Sequence, residues 1–184
     1  PFQYQLSSSS PFYSLLSGIG TQLFHNPWFF TLIINLLAGL SWLILMSRTK
    51  LIRKQSPFTQ VLLLSGTASL LPWHLLVLLG MEHMCHILFI CLFLHAATGS
   101  TSKNGMPALI SGVLMTGFRY ESLFVLIAYL IVYYSSYRAW LISALSSIPI
   151  FMMGLYAIIR GGTFFPISVL GKGYAPDFQV EEFI

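Results

Sequence analysis

The sequence predicts an all-α fold, a polytopic transmembrane helical bundle with short interfacial or re-entrant helices. Hydrophobic residues make up 56% of the 184 residues and charged residues only 8%, whereas soluble domains carry about 25% charged residues. The mean hydropathy is +0.78, and the apolar residues form several runs separated by short polar turns. Because lipid offers the backbone no hydrogen-bond partners, these runs are expected to be membrane-spanning helices.

Residues 1–27 are predicted to form an outer-face segment with one interfacial helix. Ser10 followed by Pro11 is a typical helix start, because serine caps the first turn and proline is tolerated there. The helix is expected to run to Phe24, interrupted by its two glycines, and its aromatic, amphipathic character suits the membrane interface. Because the sequence begins with Pro1 and not with methionine, we expect it to be an internal fragment of a longer protein.

Residues 28–159 are predicted to form the transmembrane region, and residues 160–184 an outer-face loop and tail. A kink is expected at Pro72, since proline cannot donate the helical hydrogen bond. The basic stretch at 48–54 is expected to be cytoplasmic by the positive-inside rule. The apolar segments, about six in number, are 28–46, 58–79, 84–98, 107–118, 123–137 and 139–159.

The segment at 107–118 is too short to cross a bilayer, because it extends only about 18 Å as a helix. Two alternatives follow from its length. Either the Arg119-Tyr120-Glu121 stretch lies below the membrane surface, or residues 107–137 bend within the membrane. Both alternatives place these charges in a cavity lined by protein, since lipid does not tolerate them.

Charged residues that follow outward-going segments are predicted to form a functional site on the outer side, because charge at membrane depth is costly. We expect Glu82 to pair with Arg119. Residues two apart on a helix do not face each other, so Glu121 is expected to pair with Arg160 or Lys172. The alternative is that these are structural ion pairs that clamp helices together.

Arg160 and Lys172 flank a glycine-containing loop, and two cations beside such a loop suit a phosphate or diphosphate. The alternative is a juxtamembrane anchor for lipid headgroups. Glu82, His83 and His86 are ligand types that zinc accepts, but no further convergent ligand is evident. We therefore predict no metal site and no cofactor, with a divalent metal as the alternative. The formal charge of +4 reflects loop orientation, so no nucleic-acid partner is expected.

Four short motifs occur in one order along the chain. They are Ser8-Ser9-Ser10-Pro11-Phe12-Tyr13, Gly80-Met81-Glu82-His83, Arg119-Tyr120-Glu121 and the stretch GGTFFPISVLGKG at 161–173. Together they resemble the GT-C superfamily of polytopic membrane glycosyltransferases, which includes protein mannosyltransferases and bacterial lipid-A aminoarabinose transferases. The resemblance covers nearly the whole sequence. Position 167 is isoleucine where the family often has asparagine.

The resemblance implies an enzyme that transfers a sugar from a polyprenyl-phosphate donor to an acceptor at the outer face of a bacterial inner membrane, facing the periplasm or exterior. It also implies a catalytic aspartate upstream of Pro1, so the catalytic residue within this sequence is unknown. By the same resemblance and their charge, the phosphate-binding residues are expected to be Arg119, Arg160 and Lys172. The site-organising residues are expected to be Glu82, His83 and Glu121.

Two other functions fit the same charges. A non-enzymatic transporter or lipid-binding subunit would line a permeation path with them, although charges on one side only argue against a path that is gated at both faces. A structural membrane module would use them as clamps between helices.

Overall fold

The computed structural model describes residues 10–70, 76, 82–98, 105–160 and 162–164. Within these ranges every regular element is an α-helix, which confirms the all-α prediction. The helices are α1 (Pro11–Phe24), α2 (Pro27–Ser47), α3 (Lys50–Arg53), α4 (Pro57–Leu70), α5 (His83–Thr98), α6 (Met106–Phe118), α7 (Ser122–Val132), α8 (Tyr137–Ser146) and α9 (Ile148–Ile159).

The first helix has the predicted bounds, but its glycines do not interrupt it. Gly20 allows close packing instead, because a Cβ at this position would lie 2.3 Å from the ring of Phe30 on α2. The chain reverses at His25, which has a left-handed φ of 53°. Asn26 then caps α2, and its side chain accepts hydrogen bonds from the N–H groups of Trp28 and Phe29.

Two helical segments in the described residues are long and apolar enough to cross a membrane. Trp28–Ser47 has 20 residues and a hydropathy of 2.2, and Tyr137–Ile159 has 23 residues and a hydropathy of 1.9. By length and composition these segments are compatible with membrane association. The proline predicted to kink the second apolar segment, Pro72, lies outside the described residues, and α4 is described only as far as Leu70.

The predicted span at 123–137 is interrupted, whereas the one at 139–159 corresponds to the candidate span Tyr137–Ile159, which a single turn residue divides into α8 and α9. Helix α7 ends at Val132 and is followed by a turn. The next helix begins at Tyr137 and is capped by Ser136, whose side chain accepts from the Ala139 N–H. Helices α8 and α9 meet at Ser147, and Pro149 lies in the first turn of α9. Proline there is favourable for a helix start but removes the hydrogen bond that a continuous helix would need.

Helices α5 and α6 pack against each other at the centre, with α1 and α2 on one side and α8 on the other. Small residues allow α6 to approach α8 closely. A Cβ at Gly112 would lie 2.2 Å from the Ser146 hydroxyl, and the Thr116 hydroxyl donates to the Ser146 carbonyl. One apolar cluster, around Phe118, lies towards α1 and α2, and a second, around Phe93, lies towards α7 and α8.

Candidate functional site

Arg119 lies in the segment 119–121 between α6 and α7. This segment and the last two residues of α6, Gly117 and Phe118, are hereafter the α6–α7 joint. The backbone of Arg119 is extended, with φ −154° and ψ 137°, while its N–H still bonds the Met115 carbonyl at 3.2 Å. This break in the helix lets Arg119 turn towards Glu121. The Arg119 Nε lies 3.1 Å from Glu121 Oε2, and Nη2 lies 2.8 Å from Oε1.

The prediction that these two side chains do not meet was wrong, because it assumed helical geometry at Arg119. Glu121 was expected to pair with Arg160 or Lys172, yet its described ion pair is with Arg119. Arg160 caps the end of α9 and lies over the ring of Tyr156, 5.4 Å from its centroid. Lys172 lies outside the described residues.

The other edge of the Arg119 guanidinium faces the start of α5. Its Nη1 lies 2.7 Å from His83 Nε2 and 3.7 Å from Glu82 Oε1. The predicted pair between Glu82 and Arg119 is therefore confirmed. Because a guanidinium can only donate, His83 Nε2 must accept, and the imidazole is neutral with its proton on Nδ1.

Glu82, His83, Arg119 and Glu121, hereafter the charge cluster, carry an excess of one negative charge, since two carboxylates face one guanidinium and a neutral imidazole. The Arg119 and Glu82 side chains are only 12% and 13% exposed, so water screens their interaction incompletely. The hydrogen bonds to Glu121 raise the pKa of the Arg119 guanidinium above its ordinary value, against the opposing effect of burial. The Arg119 guanidinium is therefore protonated, and its positive charge is balanced by the carboxylates of Glu82 and Glu121.

Glu82 is the less engaged of the two carboxylates. Its carbonyl accepts the His86 N–H at 3.0 Å, so it lies at the start of α5, where the helix dipole favours a negative charge. Within the described part of the chain, its carboxylate oxygens accept no hydrogen bond, and the 3.7 Å contact with Arg119 is longer than either contact of Glu121. Glu82 therefore has lone pairs available for the hydroxyl or amino groups of a ligand.

Ser122, which sequence reasoning missed, forms a buried link beside the cluster. His86 Nε2 lies 2.7 Å from the Ser122 hydroxyl, which donates to the Met115 carbonyl at 2.8 Å. The single hydroxyl proton is used on this carbonyl, so Ser122 accepts from His86. The pair therefore resembles a structural link between α5 and the α6–α7 joint more than an activated serine nucleophile.

The N-terminal motif also reaches the α6–α7 joint. Ser10 occupies the predicted N-cap position of α1, but its hydroxyl donates to the Phe118 carbonyl and makes no capping bond. The Phe12 ring packs edge-on against Phe118, with centroids 6.2 Å apart. It also fills the space beside Gly117, where a Cβ would lie 2.2 Å from the ring.

A buried polar chain, also missed from sequence, lies between α1, α2 and α5. Asn35, fully buried in α2, donates to the Tyr13 hydroxyl at 3.2 Å. Its Oδ1 accepts from the Cys85 thiol at 3.9 Å. An asparagine inside a long apolar helix was the signal that could have revealed this chain, because such residues commonly bond across helices.

The structure thus brings together four of the predicted site residues, Glu82, His83, Arg119 and Glu121. No ion pair or hydrogen bond joins the fifth described one, Arg160, to this cluster within the residues that the structure describes. Over the same residues, no group of three or more His, Cys, Asp and Glu could hold a metal ion. Glu82, His83 and His86 accordingly do not form the zinc site considered from sequence.

Comparison of the chain with models of protein families, with curated proteins and with solved structures found no match. The likeness to GT-C glycosyltransferases therefore rests on the four sequence motifs alone.

Proposed function

We propose that this chain is part of a polytopic membrane glycosyltransferase that uses a polyprenyl-phosphate sugar. The observation that carries the proposal is convergence. His83 of one motif contacts Arg119 of another, 36 residues away in sequence. Ser10 of a third motif donates to the carbonyl of Phe118, the neighbour of Arg119. Convergence is expected if the motifs build one site, and chance matches to short motifs give no reason for it.

The proposed membrane location has support beyond the two candidate spans. In the most apolar 18-residue part of each span, only 28% of the residues are buried in Trp28–Ser47 and 33% in Tyr137–Ile159. The core helix of a soluble protein is mostly buried. Large apolar side chains are also more than half exposed on other helices, including Phe58 on α4 and both Phe124 and Ile131 on α7. Such extensive exposed apolar surface suits lipid better than water.

Helix α7 fits the proposed re-entrant or interfacial role. Its 11 residues extend about 16 Å, roughly half of the hydrocarbon thickness. The joint before it would then lie inside the membrane boundary, where the charge cluster is shielded from lipid by α5 and α6. A protein-lined polar site at that depth is where a lipid-linked sugar could be reached.

Within this proposal the charge cluster binds the sugar, and the phosphate lies elsewhere. Arg119 is engaged by Glu82 and Glu121, and these described side chains sum to a negative charge that repels a phosphate, so we assign Arg119 a positioning role towards the two carboxylates. The carboxylates accept sugar hydroxyls, and Arg160 and Lys172 are left as the phosphate ligands. A carboxylate base would remove the proton of the acceptor hydroxyl, which attacks the anomeric carbon as the polyprenyl phosphate leaves.

The test is sugar transfer by the full-length protein in lipid nanodiscs, with polyprenyl phosphates that carry radiolabelled mannose or aminoarabinose. Glu82→Gln should lower the transfer rate by about 100-fold, since one preorganised polar group contributes about that factor. The matched control is Arg53→Gln on the exposed end of α3, which should transfer at the original rate. Absence of label transfer from either donor, or full activity of Glu82→Gln, would overturn the proposal.

A structural clamp is the second candidate, and the charge compensation of Arg119 favours it. In that case the cluster joins α5 to the α6–α7 joint and binds nothing. Glu82→Gln would then lower stability without affecting the binding of any lipid-linked sugar. The two candidates are separated by measuring donor binding and the melting temperature of the same variant.

A further inference from the structure

A groove lined by residues other than those of the charge cluster lies between the start of α6 and α8. It encloses about 280 Å³, and its walls are apolar, including Met106, Leu109, Ile142 and Leu145. Arg138, near the start of α8, lines the same groove and is the charged residue among its described lining residues. The groove therefore combines an apolar trough with a cation.

Arg138 differs from the arginines considered above. Arg119 is engaged by two carboxylates and Arg160 by an aromatic ring. Arg138 is exposed and makes no ion pair or hydrogen bond within the described residues. In the sequence, Lys103 stands two positions before Gly105, which also lines the groove, and this adds positive charge to the segment that leads into it.

We propose that this groove binds an anionic phospholipid, with an acyl chain along the apolar wall and the phosphate at Arg138. A guanidinium pairs with phosphate through two parallel hydrogen bonds, and basic residues at membrane interfaces attract anionic lipids. The apolar walls would contribute nothing to a free phosphate. A zwitterionic lipid also carries a phosphate, but its own ammonium group offsets the attraction to Arg138, so an anionic lipid is favoured. The inference rests on membrane embedding and not on glycosyl transfer.

A second groove provides an internal comparison. It encloses about 220 Å³ between α7, α8 and α9, and its lining includes Leu126, Leu130, Trp140 and Phe151. None of its described lining residues is charged. This groove could accept an acyl chain as well as the first one does. It offers nothing that would select the headgroup, so only the Arg138 groove should prefer an anionic lipid.

The experiment uses photoactivatable phosphatidylglycerol and phosphatidylcholine with identical acyl chains, each at the same fraction in nanodiscs that hold the full-length protein. Crosslinked peptides are quantified by mass spectrometry. Labelling of residues 138–145 should be about fivefold higher with phosphatidylglycerol, the factor that one basic residue near a lipid surface provides. Labelling at Leu126 and Leu130 should be equal for the two lipids.

Variants test the role of the charge directly. Arg138→Gln should remove the preference, Arg138→Lys should keep most of it, and Leu109→Trp should lower labelling by both lipids by filling the groove. Arg53→Gln removes an exposed cation elsewhere and should change nothing. Equal labelling by both lipids, an unchanged preference in Arg138→Gln, or the same preference at the second groove would each overturn the proposal.

Discussion

At the scale of single residues, the role of Arg119 follows from the side chains that its guanidinium contacts, which are Glu82, His83 and Glu121. The position of Arg119 after an apolar segment correctly predicted the pair with Glu82, because a charge beside apolar helices needs a partner of opposite charge. The bidentate contact with Glu121 depends on the extended φ and ψ of Arg119, which no spacing rule for helices contains. The bond between His86 and Ser122 joins residues 36 apart and left no local signal.

The two-point contact between the Arg119 guanidinium and the Glu121 carboxylate should be important for the stability of the fold. We expect Arg119→Lys to lower the free energy of unfolding by about 1.5–3 kcal/mol, since an ammonium cannot replace the two-point contact with Glu121 and the bond to His83. Denaturant unfolding in mild detergent measures this. Arg53→Lys, on an exposed side chain, serves as the control and should change stability by less than about 0.5 kcal/mol. Equal stability of both variants would show that the cluster does not hold the joint.

At the scale of helices, local signals predicted both bounds of α1, α2, α5 and α6 to within one residue, but they did not predict the early end of α7. Pro11 marked the start of α1 correctly, and α5 and α6 begin within a residue of the predicted bounds. Tyr133 and Tyr134 are apolar enough to continue a span, yet α7 stops before them. Contacts between helices were also out of reach, because the bond from Ser10 to Phe118 links positions 108 apart.

The close approach of α6 and α8 predicts opposite outcomes for two glycines. Gly112→Ala places a methyl group 2.2 Å from the Ser146 hydroxyl, and we expect a loss of about 1–3 kcal/mol in the free energy of unfolding. Gly66→Ala in α4 meets nothing within 4 Å and should be neutral or stabilise by up to about 1 kcal/mol. Thermal unfolding of both variants in detergent measures these changes in stability. A destabilised Gly66→Ala with an unaffected Gly112→Ala would contradict the packing described.

The docking of α1 on the α6–α7 joint leads to a second comparison. Gly117→Ala would push a methyl group into the Phe12 ring, whereas Gly18→Ala within α1 meets nothing within 4 Å. Hydrogen exchange of the α1 amides should therefore become faster in Gly117→Ala and stay unchanged or slow in Gly18→Ala. If exchange in α1 is the same in both variants, Phe12 does not fasten α1 to the joint.

At the scale of the whole molecule, the all-α class followed directly from composition and from the apolar runs, and the structure agrees with it. The number of membrane crossings is a different matter. It depends on how short helices such as α6 and α7 sit in lipid, which their own sequences do not determine. The proposed depth of the charge cluster in the membrane depends on the same question, because the cluster joins α5 to the α6–α7 joint.

The proposed topology predicts alternating sides for three exposed positions. Gln55→Cys and Ser135→Cys should be labelled by a membrane-impermeant maleimide from the cytoplasmic side, and Thr163→Cys from the opposite side, following the distribution of basic residues. The unsubstituted chain provides the background, since Cys85 is buried and Cys91 partly so. Labelling of all three positions from one side would exclude the polytopic arrangement.

The excess negative charge around Glu82 has a consequence for the proposed chemistry. Glycosyl transfer commonly passes through an oxocarbenium-like state, with positive charge at the anomeric centre. The partly buried carboxylate of Glu82 would stabilise that positively charged state more than it stabilises the uncharged sugar. Such preferential binding of the transition state accelerates a reaction. Cationic iminosugars should consequently occupy the cluster more tightly than neutral sugars of the same shape, and Glu82→Gln should erase the difference.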